Sequence, residues 1–266
     1  MADAIERAVE RVIATMRENL GEPLTVDDMA RVAMFSKFHF TRIFQRVTGV
    51  SPGRFLSALR LQHAKHLLVS TTLNVADISV RVGYNSVGTF SSRFTKSVGL
   101  SPTTYRRMGG YTPQIPTDNP GDSAGTGIVS GQIWPAPNGE PGLVFVGLFP
   151  SRIPEGKPAR CTILENHGPF TLDRVPEGSW YLLAQSVPCR MEEATGPTSQ
   201  NHVSVAAYGP VEVGPDSIVT GADLRLKLAR ALDPPVLLAL LDVRKIALSQ
   251  TETVPVADTC GRQPAA

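Results

Sequence analysis

Three cysteines in 266 residues, Cys161, Cys189 and Cys260, are too few and too widely spaced for a disulfide framework or for paired zinc ligands. A reducing, cytoplasmic setting suits them. Long apolar runs are missing too: the longest, 236–241, falls far short of the ~20 residues that a bilayer-spanning helix needs. The N-terminal stretch holds Asp3, Glu6 and Glu10 inside a helical pattern instead of a basic patch followed by an apolar run. Neither a signal peptide nor a membrane partner is therefore expected. GxSxG, a Walker-type phosphate loop and HExxH do not occur, so the common hydrolase, nucleotidase and zinc-protease patterns are absent. The most telling shortage is of acid. Between Met29 and Arg107 the only acidic residue is Asp77, against twelve Lys and Arg.

A formal net charge of +2 conceals this imbalance. Residues 1–107 carry fifteen basic against eight acidic side chains, a balance of +7, and residues 108–266 carry eleven against sixteen, a balance of −5. A chain of this length fits two domains, each able to bury its own core. A basic block this poor in acid is suited to phosphates; the plainer alternative is a soluble domain with a basic face.

What is present in the basic half is a helical grammar stated twice. Ile5, Ala8, Val9, Val12, Ile13 and Met16 form one stripe over 2–19, and Gly21 stops it. Thr25 and Asp28 read as a capping box. Ser36 is predicted to cap a third helix, with Phe40, Ile43, Phe44 and Val47 inward and Lys37, Phe38, Thr41, Arg42 and Gln45 outward. Gly49 ends it. Ser51-Pro52 then opens a long helix to about Ser70 through Phe55, Leu56, Leu59, Leu67 and Leu68. Fifty residues on, Phe40, Phe44, Gly49, Ser51 and Pro52 recur as Phe90, Phe94, Gly99, Ser101 and Pro102, while Val26 and Met29 match Val75 and Ile78 at an offset of 49. The second copy therefore has one extra residue near Asn85, in the turn that Gly83 opens before the Ser86 cap. Two helix-turn-helix units joined by a long helix make a bilobed all-α array. A joining helix of about 19 residues is roughly 28 Å long, close to the ~34 Å between major-groove faces one duplex turn apart.

The second unit, through Val82-Gly83-Tyr84, Phe90, Phe94, Gly99, Ser101-Pro102 and Tyr105-Arg106, resembles the AraC/XylS transcription regulators. The first does so through Ala30, Ala33, Ser36, Phe40, Phe44, Gly49, Arg60 and Ala64. The resemblance covers roughly residues 5–107. It implies a sequence-specific regulator of the bacterial cytoplasm that binds double-stranded DNA with paired helix-turn-helix modules and needs no cofactor; RNA polymerase is a candidate partner. The helices from Ser36 and Ser86 would be the readers. The family's contact positions fall on Phe38, Thr41 and Arg42 in the first. Arg42 can bond bidentately to guanine, and Phe38 either packs on a thymine methyl or closes the small core. Lys37 and His39 flank the site and either bind phosphate or are solvated. In the second reader the positions are Gly88, Ser91 and Ser92, beside Val87, and they have little reach. Arg93 and Lys96 read as phosphate clamps. The first helix is thus expected to supply most of the direct discrimination and the second mainly backbone affinity and shape readout. His63 and His66, three apart in the joining helix, lack a Cys or acidic partner nearby and read as structural or solvated.

From 108 to 127 the chain turns to Gly, Pro, Asp, Asn and Thr and reads as a flexible linker. Strand-like runs follow at 128–134, 143–149, 160–165, 170–175, 180–186, 202–207 and 218–228, some separated by turn signals such as Asn138-Gly139. Over 128–249 they suggest an all-β sandwich, and the runs Gly131–Phe149 and Gly168–Ala184 are similar to transthyretin-like regulatory domains. Residues 236–248 read as one amphipathic helix or two short strands, and 250–266 as a loose tail. In the AraC/XylS plan the DNA-binding part follows the sensing domain. Here it comes first, which leaves any small-molecule effector unknown. Trp134, Trp180, Tyr181, His167 and His202 line a ligand site or serve as core and edge packing. Homodimerisation through this domain and partner docking are the other roles expected of it. Two further readings stand beside regulation: an architectural DNA-binding protein without effector control and, remotely, a DNA alkyltransferase using Cys189. Pro188-Cys189-Arg190 lacks the His of the Pro-Cys-His-Arg motif, so Cys189 has no proton relay and no enzyme is expected.

Overall fold

The computed structural model describes residues 2–110, 125–137, 142–188 and 203–238. Most of the expected linker, Asn138-Gly139, Cys189, His202, Cys260 and everything after 238 lie outside the described residues. Seven helices come first: α1 Ala2–Glu18, α2 Val26–Ala33, α3 Lys37–Thr48, α4 Pro52–Ser70, α5 Val75–Arg81, α6 Val87–Val98 and α7 Pro102–Arg107. None of the described helices is long and apolar enough to cross a membrane.

The two units carry the same packing ladder. Phe40 stacks on Phe44 at 5.5 Å between ring centroids and Phe44 on Phe55 at 5.4 Å; Phe90, Phe94 and Tyr105 repeat this at 5.6 Å for each step. The five phenylalanines are wholly buried, and truncating any one to Ala costs about 3–5 kcal/mol in a packed core. Between the ladders runs α4, whose buried residues include Phe55, Leu56, Ala58, Leu59, Leu61, Ala64, Leu67 and Leu68. Leu61 and the two alanines lie off the apolar positions expected from sequence, because both lobes pack on this helix from different sides. One core cluster therefore runs through both units.

Two arginines of the resemblance are structural. Arg60 Nε donates to the Leu20 carbonyl at 2.9 Å and its Nη2 to that of Glu22 at 2.7 Å. Arg106 does the same for Leu68 and Leu73 across the end of α4. Burial lowers the Arg60 pKa from its ordinary value, yet four such carbonyl contacts are what tie the two units to α4. His63 and His66 lie on this helix with ring centroids 6.4 Å apart, and burial, then the neighbouring His66, pushes His63 below the usual histidine range.

The caps answer the sequence unevenly. Thr25 and Asp28 form the expected reciprocal box, and Ser86 Oγ accepts the Thr89 N–H. Ser36 takes the N-cap position of α3 but makes no side-chain bond to it, which corrects the expected cap. The helix-turn-helix turn itself is left-handed in both units, at Met34 (φ 60°) and at Gly83 (φ 80°). One residue separates Met34 from the next N-cap and two separate Gly83 from its own, which is where the second copy gains its extra residue.

The second half folds into two sheets that share one apolar core. One contains β4 (Pro169–Val175), β1 (Gly127–Trp134), β7 (Ile218–Val219) and β8 (Leu224–Arg225). The other runs β3 (Arg160–Leu164), β2 (Gly142–Phe149), β5 (Gly178–Pro188), β6 (Ser204–Val213) and β9 (Lys227–Leu228). The single strand expected over 218–228 is instead three two-residue pieces. Gly221 adopts φ 71°, and the segment passes from parallel pairing with β1 to antiparallel pairing with β6. Strand β6 is also longer than the expected 202–207, and residues 236–238 form neither helix nor strand. Strand β2 shows why its sequence does not alternate: from Val144 to Phe149 it is buried on both faces. Its outer face, with Phe145, Phe149 and Leu183, forms a small cluster with Leu238.

That outer side meets the helices. Ile153, in the loop after β2, is buried in the helical core together with Leu232 and Leu237. Glu155 accepts Arg54 Nη2 at 2.8 Å with one oxygen and Ser97 Oγ at 2.8 Å with the other, bracing α4 against α6. Lys65 Nζ donates to the Leu237 and Leu238 carbonyls at 2.9 and 2.8 Å.

The two turns predict opposite responses. A Cβ at Gly83 would fall 2.5 Å from the Leu20 carbonyl oxygen as well as adopting positive φ, so Gly83→Ala should cost about 2 kcal/mol or more in denaturant unfolding. Met34→Gly relieves a left-handed non-glycine residue that is almost fully exposed and should gain up to about 1 kcal/mol in the same assay.

Candidate nucleic-acid interface

Helices α3 and α6 each pack one face on the core and leave the other open. On α3, Ser36, Lys37, Phe38, His39 and Arg42 are exposed and Thr41 is half-buried. Phe38 is 83% exposed, so it takes no part in closing the core. A phenyl ring left this open is an apolar surface available to a partner. Thr41 Oγ1 donates back to the Lys37 carbonyl at 2.9 Å, and the His39 ring meets Phe35 edge-on at 5.0 Å. Lys37 has a partner on the neighbouring helix. Its Nζ pairs with Asp27 Oδ2 at 2.7 Å, an α2 to α3 contact that reading one helix at a time does not show.

On α6, Ser86, Val87, Gly88, Ser92 and Lys96 are exposed, while Ser91 and Arg93 are half-buried. The half-burial of Arg93 follows from its register with Ile43, the corresponding core position of α3. A Cβ added at Gly88 would meet nothing within 4 Å, so neither packing nor backbone angle requires glycine there. The open face of α6 is low relief, and that of α3 carries Phe38 and Arg42.

Charge completes the surface. Arg42, Arg93 and Lys96 make no ion pair among the described residues, and the same holds for Arg46, exposed one turn beyond Arg42. Arg46 was not among the sequence-derived candidates; its four-residue spacing from Arg42 was the available signal. The brace from the second half meets α3 and α6 at their C-terminal ends, through Gly49 and Ser97, and so leaves the N-terminal halves of both readers open. An exposed pair of helix faces with unpaired cations and one bare aromatic ring suits a polyanion with grooves.

Tyr181 and Trp134 each lie against a guanidinium, that of Arg152 and that of Arg225. Trp180 Nε1 donates to the Pro176 carbonyl at 2.9 Å, Tyr181 packs on the small outer cluster, and His167 is held below the usual histidine range by burial.

The profile of a helix-turn-helix domain family matches residues 29–108. The transcriptional activator AarP of Providencia stuartii is 30% identical over 98 residues, covering 37% of this chain and 73% of that protein. The chain belongs to the AraC/XylS family. The lactose operon transcription activator of Staphylococcus xylosus is 31% identical over 104 residues, 39% of this chain and 37% of its own length, so the chain spans little more than a third of that relative. An AraC-type regulator structure from Chromobacterium violaceum is 27% identical, with a TM-score of 0.38 over 39% of this chain and 93% of that one. The AraC/XylS likeness thus belongs to the helical half; the matched profile ends at residue 108, before the first strand.

Two substitutions probe this surface. Asp27→Asn removes a carboxylate beside the interface and frees Lys37, so duplex affinity should rise for all sequences and its salt dependence steepen by about one counterion. Gly88→Ala should stabilise α6 by up to about 1 kcal/mol in unfolding while weakening duplex binding, as measured by fluorescence anisotropy, where close backbone approach is needed.

Proposed function

We propose that this protein is a sequence-specific DNA-binding transcription regulator whose helices α3 and α6 enter successive major grooves on one side of the duplex, with α4 setting their separation. The observation that carries this reading is the doubled helix-turn-helix with both reader faces open and with Arg42, Arg46, Arg93 and Lys96 making no ion pair among the described residues. Arg42, Phe38 and Thr41 read bases from α3. Ser91 and Ser92 give α6 short reach, and Arg93 and Lys96 hold backbone phosphates. The helical half spans 1–107, a linker follows to 127, and the β half over 128–249 acts as a control module through sensing, self-association or docking to a partner such as RNA polymerase. Its likeness to transthyretin-like domains supports a regulatory sandwich without chemistry of its own. Burial pushes the Cys161 thiol up to about 11, which keeps it protonated at neutral pH.

Binding-site selection from random duplexes tests the proposal. Two half-sites about one turn apart should emerge, the α3 half-site being the more stringent, with at least roughly a 10³-fold preference over bulk DNA. Arg42→Ala should relax one base pair by about 1–3 kcal/mol, whereas Arg93→Ala should weaken every site alike and lower the salt slope by about one. Equally stringent half-sites would remove the division of labour. A preference below that ratio would point to an architectural protein instead.

A further inference from the structure

We propose that the cavity between the outer face of the five-stranded sheet, the last turn of α3 and residues 230–236 binds a small aliphatic carboxylate. The cavity is about 270 Å³. A cavity of about 150 Å³ holds benzene, so this one holds a body of roughly ten heavy atoms. Its apolar wall, including Val47, Phe145, Leu183, Val205 and Val236, suits an aliphatic chain.

The charge on its rim suits the head group. Arg152, Arg225, Lys227 and Arg230 line it against one carboxylate, Asp233, in a half of the chain that is net acidic. Lys227 Nζ donates to Asp233 at 2.9 Å, and Arg230 reaches Glu6 at 3.5 Å. Arg152 and Arg225 have aromatic neighbours instead: their guanidinium carbons lie 5.7 Å from the Tyr181 ring centre and 5.5 Å from that of Trp134. Neither has a carboxylate partner among the described residues. Guanidinium charge left uncompensated beside an apolar wall attracts a carboxylate more strongly than it would in open water.

Val47 and Thr48 bring the last turn of α3 to the same cavity, so an occupant touches a proposed reader. The site goes beyond the DNA-reading proposal, and its test is made without DNA, so that failure of one leaves the other standing.

Isothermal titration of the full chain with octanoate and octanediol tests it. Octanoate should bind saturably at one site with Kd below about 1 mM, and octanediol, lacking the carboxylate, roughly ten-fold or more weaker. Arg152→Gln should remove most of the acid's advantage over the diol. Absence of saturable binding, equal binding of acid and diol to the unmodified chain, or unchanged acid binding by Arg152→Gln would overturn the proposal; the diol comparison needs no variant to fold.

Discussion

Helix α4 is shared by two cores at once, and the geometry of the molecule depends on that sharing. A helix serving one lobe needs one apolar stripe; α4 buries residues around its circumference because each unit condenses its own aromatic ladder against a different side. Arg60 then holds the α1–α2 turn to the middle of α4, and Arg106 ties α7 to its C-terminal end and to the start of the second unit, through carbonyl contacts. The separation of α3 and α6 is therefore set by close packing, which deforms little, and not by a hinge.

The β half adds a second constraint on the same pair. Ile153, Leu232 and Leu237 are counted in the helical core, and Glu155 grips Arg54 and Ser97 together. A partly buried carboxylate with two charged or hydroxylic donors is a directional joint. It joins α4 to α6 at the ends of the readers that face away from the open surface.

Much of the helical half was legible from sequence because its signals are local. Caps, stops and apolar spacing placed α1, α3, α4 and α6 within a residue or two, and the register between copies located the extra residue in the second turn. The misses came from contacts between elements. Ser36 looks like Ser86 in sequence, yet only Ser86 bonds its helix. Lys37 reads as a free cation until α2 brings Asp27 to it. The 218–228 run reads as one strand because alternation cannot report that a left-handed Gly221 interrupts it and that the chain changes sheets after Arg225.

The sequence by itself determined the doubled helix-turn-helix, its basic and acid-poor character, and the poor reach of Gly88, Ser91 and Ser92, since residue identity and spacing suffice for these. Only the tertiary structure decided that Phe38 stands clear of the core, that Lys37 pairs with Asp27, and that Arg152 and Arg225 line one cavity. Such facts depend on which surfaces meet across long stretches of chain. Helical and strand periodicity describe the faces an element offers, not the neighbour that will cover them.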